Sequence, residues 1–125
     1  MTEKPAGELA GKITTHALDT SIGRPAAGLL VRLSARSGDG SSVLLKEDRT
    51  NADGRLEEPI YAGDLTESGE YELEFEAGRY FRDRLGTERP LFDTISVRFR
   101  PADARGHYHI PLLLAPGGYS TYRGS

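Results

Sequence analysis

Two histidines separated by a single residue, His107 and His109, are the groups in this 125-residue chain whose spacing first suggests chemistry. The pKa of an ordinary histidine is about 6.5, so its ring can take up or release a proton at neutral pH. His16 is the remaining histidine, and a structural, hydrogen-bonded role is the commoner outcome for any one of the three. Metal binding is the weaker alternative, because no carboxylate or third histidine follows the pair at ligand spacing.

The segment that carries the pair, residues 107–125 with the sequence HYHIPLLLAPGGYSTYRGS, predicts two strands joined by a hairpin at APGG. Side chains two positions apart in a strand point to the same side of the sheet. The apolar side chains of the first strand form the core face, which consists of Tyr108, Ile110, Leu112 and Leu114. His107 and His109 therefore lie on the opposite face, which is either exposed to water or covered by another subunit.

A cationic candidate, Arg55, follows the turn sequence NADG. Asp53 and Gly54 predict a tight hairpin turn, because both central positions of such a turn need a positive φ. The turn would deliver Arg55 to the first position of the strand RLEEPIYA, where its side chain has a defined direction. An arginine at such a position is more often an ion-pair residue than a substrate-binding one, so the spacing leaves its function open.

Eight short strands are predicted in all. Besides the two terminal strands and RLEEPIYA, they are KITTHALDT, LLVRLSA, SVLLKEDRT, TESGEYELEFEAG and PLFDTISVRFR. Residues 79–85, RYFRDRL, break the alternation and predict one short helix. Because no βαβ alternation occurs, the pattern predicts an all-β fold, an antiparallel sandwich of two sheets, with a barrel as the competing architecture.

The strand TESGEYELEFEAG alternates most clearly. Its inward face is predicted to carry the apolar side chains Tyr71, Leu73 and Phe75. Its three intervening glutamates are predicted to form a solvated acidic face.

The composition is that of a single globular domain, with 37% hydrophobic and 28% charged residues. A net charge of −3, with arginines interleaved among acids, argues against nucleic acid as a partner. Residues 1–10 are polar and predict a mobile lead-in, without the apolar core of a signal peptide. No run approaches the roughly 18 apolar residues of a membrane helix, so a cytoplasmic location is expected. The absence of cysteine excludes disulfides and a thiolate nucleophile.

Three stretches together closely resemble the 5-hydroxyisourate hydrolases, the enzymatic branch of the transthyretin family. They are ITTHALDTSIGRPAAGL, TNADGR and HYHIPLLLAPGGYSTYRGS. The most specific part is YRGS at residues 122–125, because the hormone carriers that share the fold lack it and the histidine pattern. The resemblance implies a transthyretin-like hydrolase domain over residues 11–125.

The resemblance also implies the site residues. The family's catalytic positions fall on His16, Arg55, His109 and Ser125, and its substrate-binding positions fall on Tyr122, Arg123 and Gly124. His109 and His16 are expected to share water activation and proton transfer, while Arg55 binds the ring carbonyls and stabilises negative charge. Ser125 and Tyr122 are expected to orient substrate and water. His107 is expected to line the central channel that facing subunits of the implied homotetramer enclose, or to support the site.

The implied reaction is hydrolysis of 5-hydroxyisourate to 2-oxo-4-hydroxy-4-carboxy-5-ureidoimidazoline in urate catabolism, with no metal or organic cofactor. The implied assembly is a homotetramer whose active sites lie at the dimer–dimer contact, which would cover the histidine-bearing face. A transthyretin-type small-molecule carrier without enzymatic activity is the alternative. A structural sandwich domain, expected to be monomeric, is the third possibility.

Overall fold

The computed structural model describes residues 11–65, 69–86 and 90–125, and the predicted lead-in of residues 1–10 lies outside this part of the chain. Nine strands and one helix are found in the described residues. In chain order they are β1 (Gly11–Asp19), β2 (Arg24–Pro25), β3 (Leu30–Arg36), β4 (Ser42–Arg49), β5 (Tyr61–Gly63), β6 (Glu70–Glu76), α1 (Ala77–Leu85), β7 (Thr94–Phe99), β8 (His107–Ala115) and β9 (Gly118–Thr121).

The strands form two sheets, which confirms the all-β, two-sheet architecture. One sheet has the order β2-β1-β8-β9, with β5 also paired to β1, and the other has the order β4-β3-β6-β7. All strand pairs are antiparallel except β1 with β8, which run parallel. The wholly antiparallel prediction is therefore wrong for this one pair, because alternation along a strand does not reveal the direction of its neighbour.

The core lies between the inner faces of the two sheets. Its fully buried side chains include Ile13 and Ala17 from β1, Leu33 from β3, Leu73 and Phe75 from β6, and Leu112 and Leu114 from β8. The predicted core face of β8 is confirmed, because Tyr108, Ile110, Leu112 and Leu114 are all buried. The opposite face of β8, which carries both histidines, points away from the core.

The predicted count of eight strands is wrong by one. The additional strand, β2, has two residues and pairs Pro25 with Leu18 at the end of β1. The predicted strand RLEEPIYA is also shorter than expected, because only its last two residues contribute to β5. Glu57 and Glu58 are exposed, and Pro59 lacks the N–H that a central strand needs, so this stretch does not continue the sheet.

The predicted helix is confirmed as α1, although it begins two residues earlier than predicted. It ends at Leu85 and is followed by Gly86, whose φ of 67° is the left-handed conformation that favours glycine. Tyr80 is buried and its hydroxyl donates to Oδ2 of Asp19 at 2.7 Å, which joins α1 to the end of β1. Burial and this contact raise the pKa of the Tyr80 phenol.

The nine residues of α1 are too few to cross a bilayer, and no helix in the described ranges is long and apolar enough to do so.

The acidic face of β6 differs from its prediction as a solvated surface. Glu72 is only 9% exposed, because Arg98 of the neighbouring β7 donates to its Oε2 at 2.7 Å. Arg36 of β3 likewise donates to Glu70 at 3.0 Å. The register places these arginines beside the glutamates, so cross-strand ion pairs cover the face.

Candidate active site

The parallel pairing of β1 with β8 builds the candidate site. Its register places Lys12 beside His107 and Thr14 beside His109. Residues paired across neighbouring strands project to the same side of the sheet, here the side away from the core. The even-numbered residues of β1 are half-buried while the odd-numbered ones are buried, which confirms this orientation.

An open cavity of about 370 Å³ lies on this outer face. Its lining consists of Lys12, Thr14, Arg55, His107, His109 and Ser125. Three of the four residues predicted as catalytic, Arg55, His109 and Ser125, are thus brought to one cavity. It contains a lysine, an arginine and two imidazoles, a set of groups that can bind carbonyl oxygens and exchange protons.

The ring of His109 is held on two sides. Its Nδ1 is hydrogen-bonded to Oγ1 of Thr14 at 2.8 Å. On its other side lies Gly124, whose N–H donates to the carbonyl of His109 at 2.7 Å. Burial, followed by the positive charges of Arg55 and His16, lowers the pKa of His109. The ring is therefore biased toward its neutral form, which can accept a proton.

His16 lies beside the cavity without lining it in this chain. Its Nε2 is 2.8 Å from the carbonyl oxygen of Asp53. A carbonyl only accepts hydrogen bonds, so Nε2 carries a proton and donates it. In the neutral ring Nδ1 is then free of a proton. His16 is also the least of the three influences that lower the pKa of His109, after burial and Arg55.

The NADGR turn is not the predicted hairpin turn. Among the described residues a positive φ occurs at glycines alone, so Gly54 (φ 77°) has it and Asp53 does not. The flanking strands β4 and β5 also belong to different sheets. The turn instead passes from one sheet to the other, and Arg55 forms a single bridge to His16 in place of a strand start.

The terminal segment continues the register of β9 up to a bridge between Gly124 and His109. Arg123 falls on the core side of this sheet, with its guanidinium 4.5 Å from the ring centre of Tyr108 and Nη2 donating to the carbonyl of His107 at 3.2 Å. Tyr122 is 58% exposed. Neither Arg123 nor Tyr122 lines the cavity of its own chain, and their substrate-binding roles stay predictions.

Lys12 and Thr14 line the cavity but were not predicted as site residues. They share a parity with His16 on β1, so the alternation that predicted the histidine face of β8 could have drawn attention to them. His107 and His109 have no metal partners within the described part of the chain, where no three histidine, aspartate or glutamate side chains are grouped as ligands would be.

The two-sheet sandwich is a transthyretin-like fold, as its solved structural neighbours show. The chain belongs to the HIUase/Transthyretin family, whose model matches residues 13–124. The 5-hydroxyisourate hydrolase of Halalkalibacterium halodurans is 49% identical over 119 residues, which cover 94% of this chain and 100% of that protein.

Solved structures agree with this assignment. The 5-hydroxyisourate hydrolase of Klebsiella pneumoniae has a TM-score of 0.75 and 40% identity, covering 92% of this chain and 94% of that one. An (S)-allantoin synthase has a TM-score of 0.83 and 39% identity, covering 97% of this chain but only 46% of that chain. Sea bream transthyretin, solved with thyroxine, has a TM-score of 0.80 at 24% identity, covering 90% of this chain and 94% of that chain, and shows the fold alone.

Proposed function

We propose that this chain is a 5-hydroxyisourate hydrolase, which converts 5-hydroxyisourate to 2-oxo-4-hydroxy-4-carboxy-5-ureidoimidazoline in urate catabolism. The observation that carries the proposal is the cavity that joins His109, Arg55 and Ser125 in a member of this family. Relatives that bear this activity in their names are up to 49% identical over nearly their whole length.

Opening the six-membered ring requires water to attack a ring carbonyl. His109 is suited to take the proton from that water, because its lowered pKa keeps it neutral. Arg55 donates to the carbonyl oxygen on which negative charge develops. The carbon–nitrogen bond then breaks, and the leaving nitrogen takes up a proton, with His16 and His109 sharing this transfer.

Binding of the substrate is assigned to the remaining cavity groups. Lys12 adds a second cation beside Arg55, which favours an oxygen-rich ring with acidic N–H groups. Ser125 orients substrate and water from the terminal segment that follows β9. Tyr122, Arg123 and Gly124 complete the proposed substrate-binding set. Arg123 and Gly124 hold the terminal segment in place, and Tyr122, which is exposed, is also available to a facing subunit.

The active assembly is proposed to be a homotetramer with its sites at the dimer–dimer contact, and its location the cytoplasm. The position of the cavity supports this, because it opens on the outer face of a sheet and not into the core. A second copy facing that sheet would shield the site from bulk solvent while leaving room for the attacking water. Light scattering during size-exclusion chromatography tests the assembly, and a monomer would contradict it.

The activity is tested by adding the protein to urate and urate oxidase and following the absorbance of 5-hydroxyisourate. Decay faster than spontaneous hydrolysis is expected. Decay at the spontaneous rate would contradict the enzyme and favour the transthyretin-type carrier. The carrier reading also predicts that replacing His16 and His109 leaves ligand binding intact, whereas the enzyme reading predicts loss of turnover.

A further inference from the structure

We propose that Asn51 is a positioning residue for this site, which holds the 51–55 turn so that Asp53 fixes the His16 ring and Arg55 reaches the cavity. The inference rests on the proposed function for its kinetic readout but not for its spectroscopic one. Asn51 belongs to the NADG turn, but it does not line the cavity that holds His109 and was not predicted as a site residue.

The side chain of Asn51 organises the turn from within. Its Oδ1 accepts from the backbone N–H of Asp53 at 2.9 Å and from that of Arg55 at 3.1 Å. Its own backbone N–H donates to the carbonyl of Arg55 at 2.7 Å, and its carbonyl accepts from Gly54 at 2.9 Å. Its Nδ2 donates to Oε1 of Glu57 at 3.2 Å. One amide therefore fixes the backbone on both sides of Gly54.

The turn so formed fits closely against β1. The N–H of Ala17 donates to the carbonyl of Gly54 at 2.8 Å. A Cβ at Gly54 would collide with the carbonyl of Ala17, and the φ of 77° also favours glycine. The backbone on which Arg55 stands is thus set against the strand that carries His16.

This placement reaches the chemistry through two groups. The carbonyl of Asp53 accepts from Nε2 of His16, which selects the ring form protonated at that nitrogen. The bridge from Arg55 to His16 sends both side chains to the same side of the sheet. Loss of the Asn51 amide would free the Asp53 carbonyl to turn away and leave both groups less defined.

Three variants separate positioning from general stability. Asn51→Ala removes both acceptor bonds. Asn51→Asp keeps the Oδ1 acceptor but sets a carboxylate oxygen against Oε1 of Glu57, so the conservative rescue is Asn51→Asp combined with Glu57→Gln, which restores a donor at that contact. Asp39→Ala is the matched control, because Asp39 Oδ1 accepts from the N–H and the hydroxyl of Ser41 in a β3–β4 turn of the other sheet.

Two measurements are made on each purified full-length variant, turnover of 5-hydroxyisourate and the ring ¹⁵N chemical shifts of His16 above its pKa. Asn51→Ala is expected to lower kcat about 10²-fold, the usual result of misplacing catalytic groups by about 1 Å, with a smaller change in KM. The His16 shifts are expected to change from the Nε2-protonated form to a mixture. Asn51→Asp combined with Glu57→Gln should recover most of both properties, and Asp39→Ala should match the parent chain.

Unchanged His16 shifts in Asn51→Ala would overturn the proposal. So would a loss of kcat in Asp39→Ala equal to that in Asn51→Ala, because the effect would then be general destabilisation. If the parent chain has no turnover, the proposed function fails, while the ¹⁵N shifts still decide whether Asn51 positions His16.

Discussion

Gly124 lies against the face of the His109 ring with no room for a side chain. A Cβ at Gly124 would be 2.5 Å from Cδ2 of His109 and 3.2 Å from Cγ of Pro111. Glycine at this position therefore lets the terminal segment cover the imidazole while its N–H binds the His109 carbonyl.

Gly124→Ala is expected to lower kcat about 10²-fold, because either the ring or the terminal segment must move out of its position. Steady-state kinetics together with thermal unfolding measures the change and separates it from loss of folding. The matched control is Gly117→Ala in the β8–β9 turn, where a Cβ meets open space. Equal turnover in the two variants would show that the His109 environment tolerates the added methyl group.

His109→Ala is expected to lower kcat by about 10²–10⁴-fold, the contribution that a general acid–base histidine usually makes. His107→Ala should lower kcat much less. His107 also lines the cavity, but it lies two residues before His109 on β8, beside Lys12 instead of Thr14. Initial rates at saturating substrate measure both. The assignment of the base to His109 would be refuted by a larger loss in the His107 variant.

The pKa of His109 should lie below the ordinary value of about 6.5, and His16→Gln should raise it. Removing a neighbouring positive charge favours the imidazolium, so the shift is upward. Because the unfolded chain binds this proton more readily, the free energy of unfolding should also decrease as the pH falls below about 6.5. An NMR titration of the His109 ring measures this pKa in the parent chain and in the variant. An unchanged pKa in His16→Gln would show that His16 does not influence the protonation of His109.

Thr14→Val keeps the shape of the side chain and removes the hydroxyl bonded to Nδ1 of His109. A roughly fivefold loss of kcat/KM is expected, since one hydrogen bond contributes about 1 kcal/mol. The ¹⁵N shifts of His109 should change as well, because the ring loses the partner that selects its protonated nitrogen. Thr14→Ser retains the hydroxyl and should retain activity, and a loss as large as that of the valine variant would point to packing.

Tyr80→Phe is expected to lower the free energy of unfolding by about 1–3 kcal/mol, because the buried Asp19 loses a hydrogen-bond donor. Chemical denaturation measures the loss. Tyr61→Phe serves as the control, because the Tyr61 hydroxyl donates to the carbonyl of Asp64 at an exposed position. Similar losses of unfolding free energy in both variants would mean that the buried contact with Asp19 stabilises the fold no more than an exposed hydrogen bond does.

The faces of single strands could be predicted from the sequence, because alternation with period two is local. It placed Tyr108 in the core and His109 on the outer face. The NADG turn could not be predicted correctly, because its conformation is set by Asn51 and by contact with β1, not by the Asp53-Gly54 pair. Contacts between residues distant in sequence could not be predicted either, because alternation is local. Thr14 and His109, which are hydrogen-bonded, are 95 positions apart.

The pairing of β1 with β8 also determines when this site can exist during folding. One wall of the cavity comes from β1, near the beginning of the described chain, and the other from β8 and the residues after it. Contacts between segments so far apart in sequence form slowly, because closing the long intervening loop costs entropy before any contact repays it. During synthesis, β1 cannot pair with its parallel neighbour β8 until residues 107–115 have been made. Appearance of turnover in a refolding experiment would therefore report the joining of the two ends of the fold, and a truncated chain that lacks β8 would keep an open, aggregation-prone strand edge.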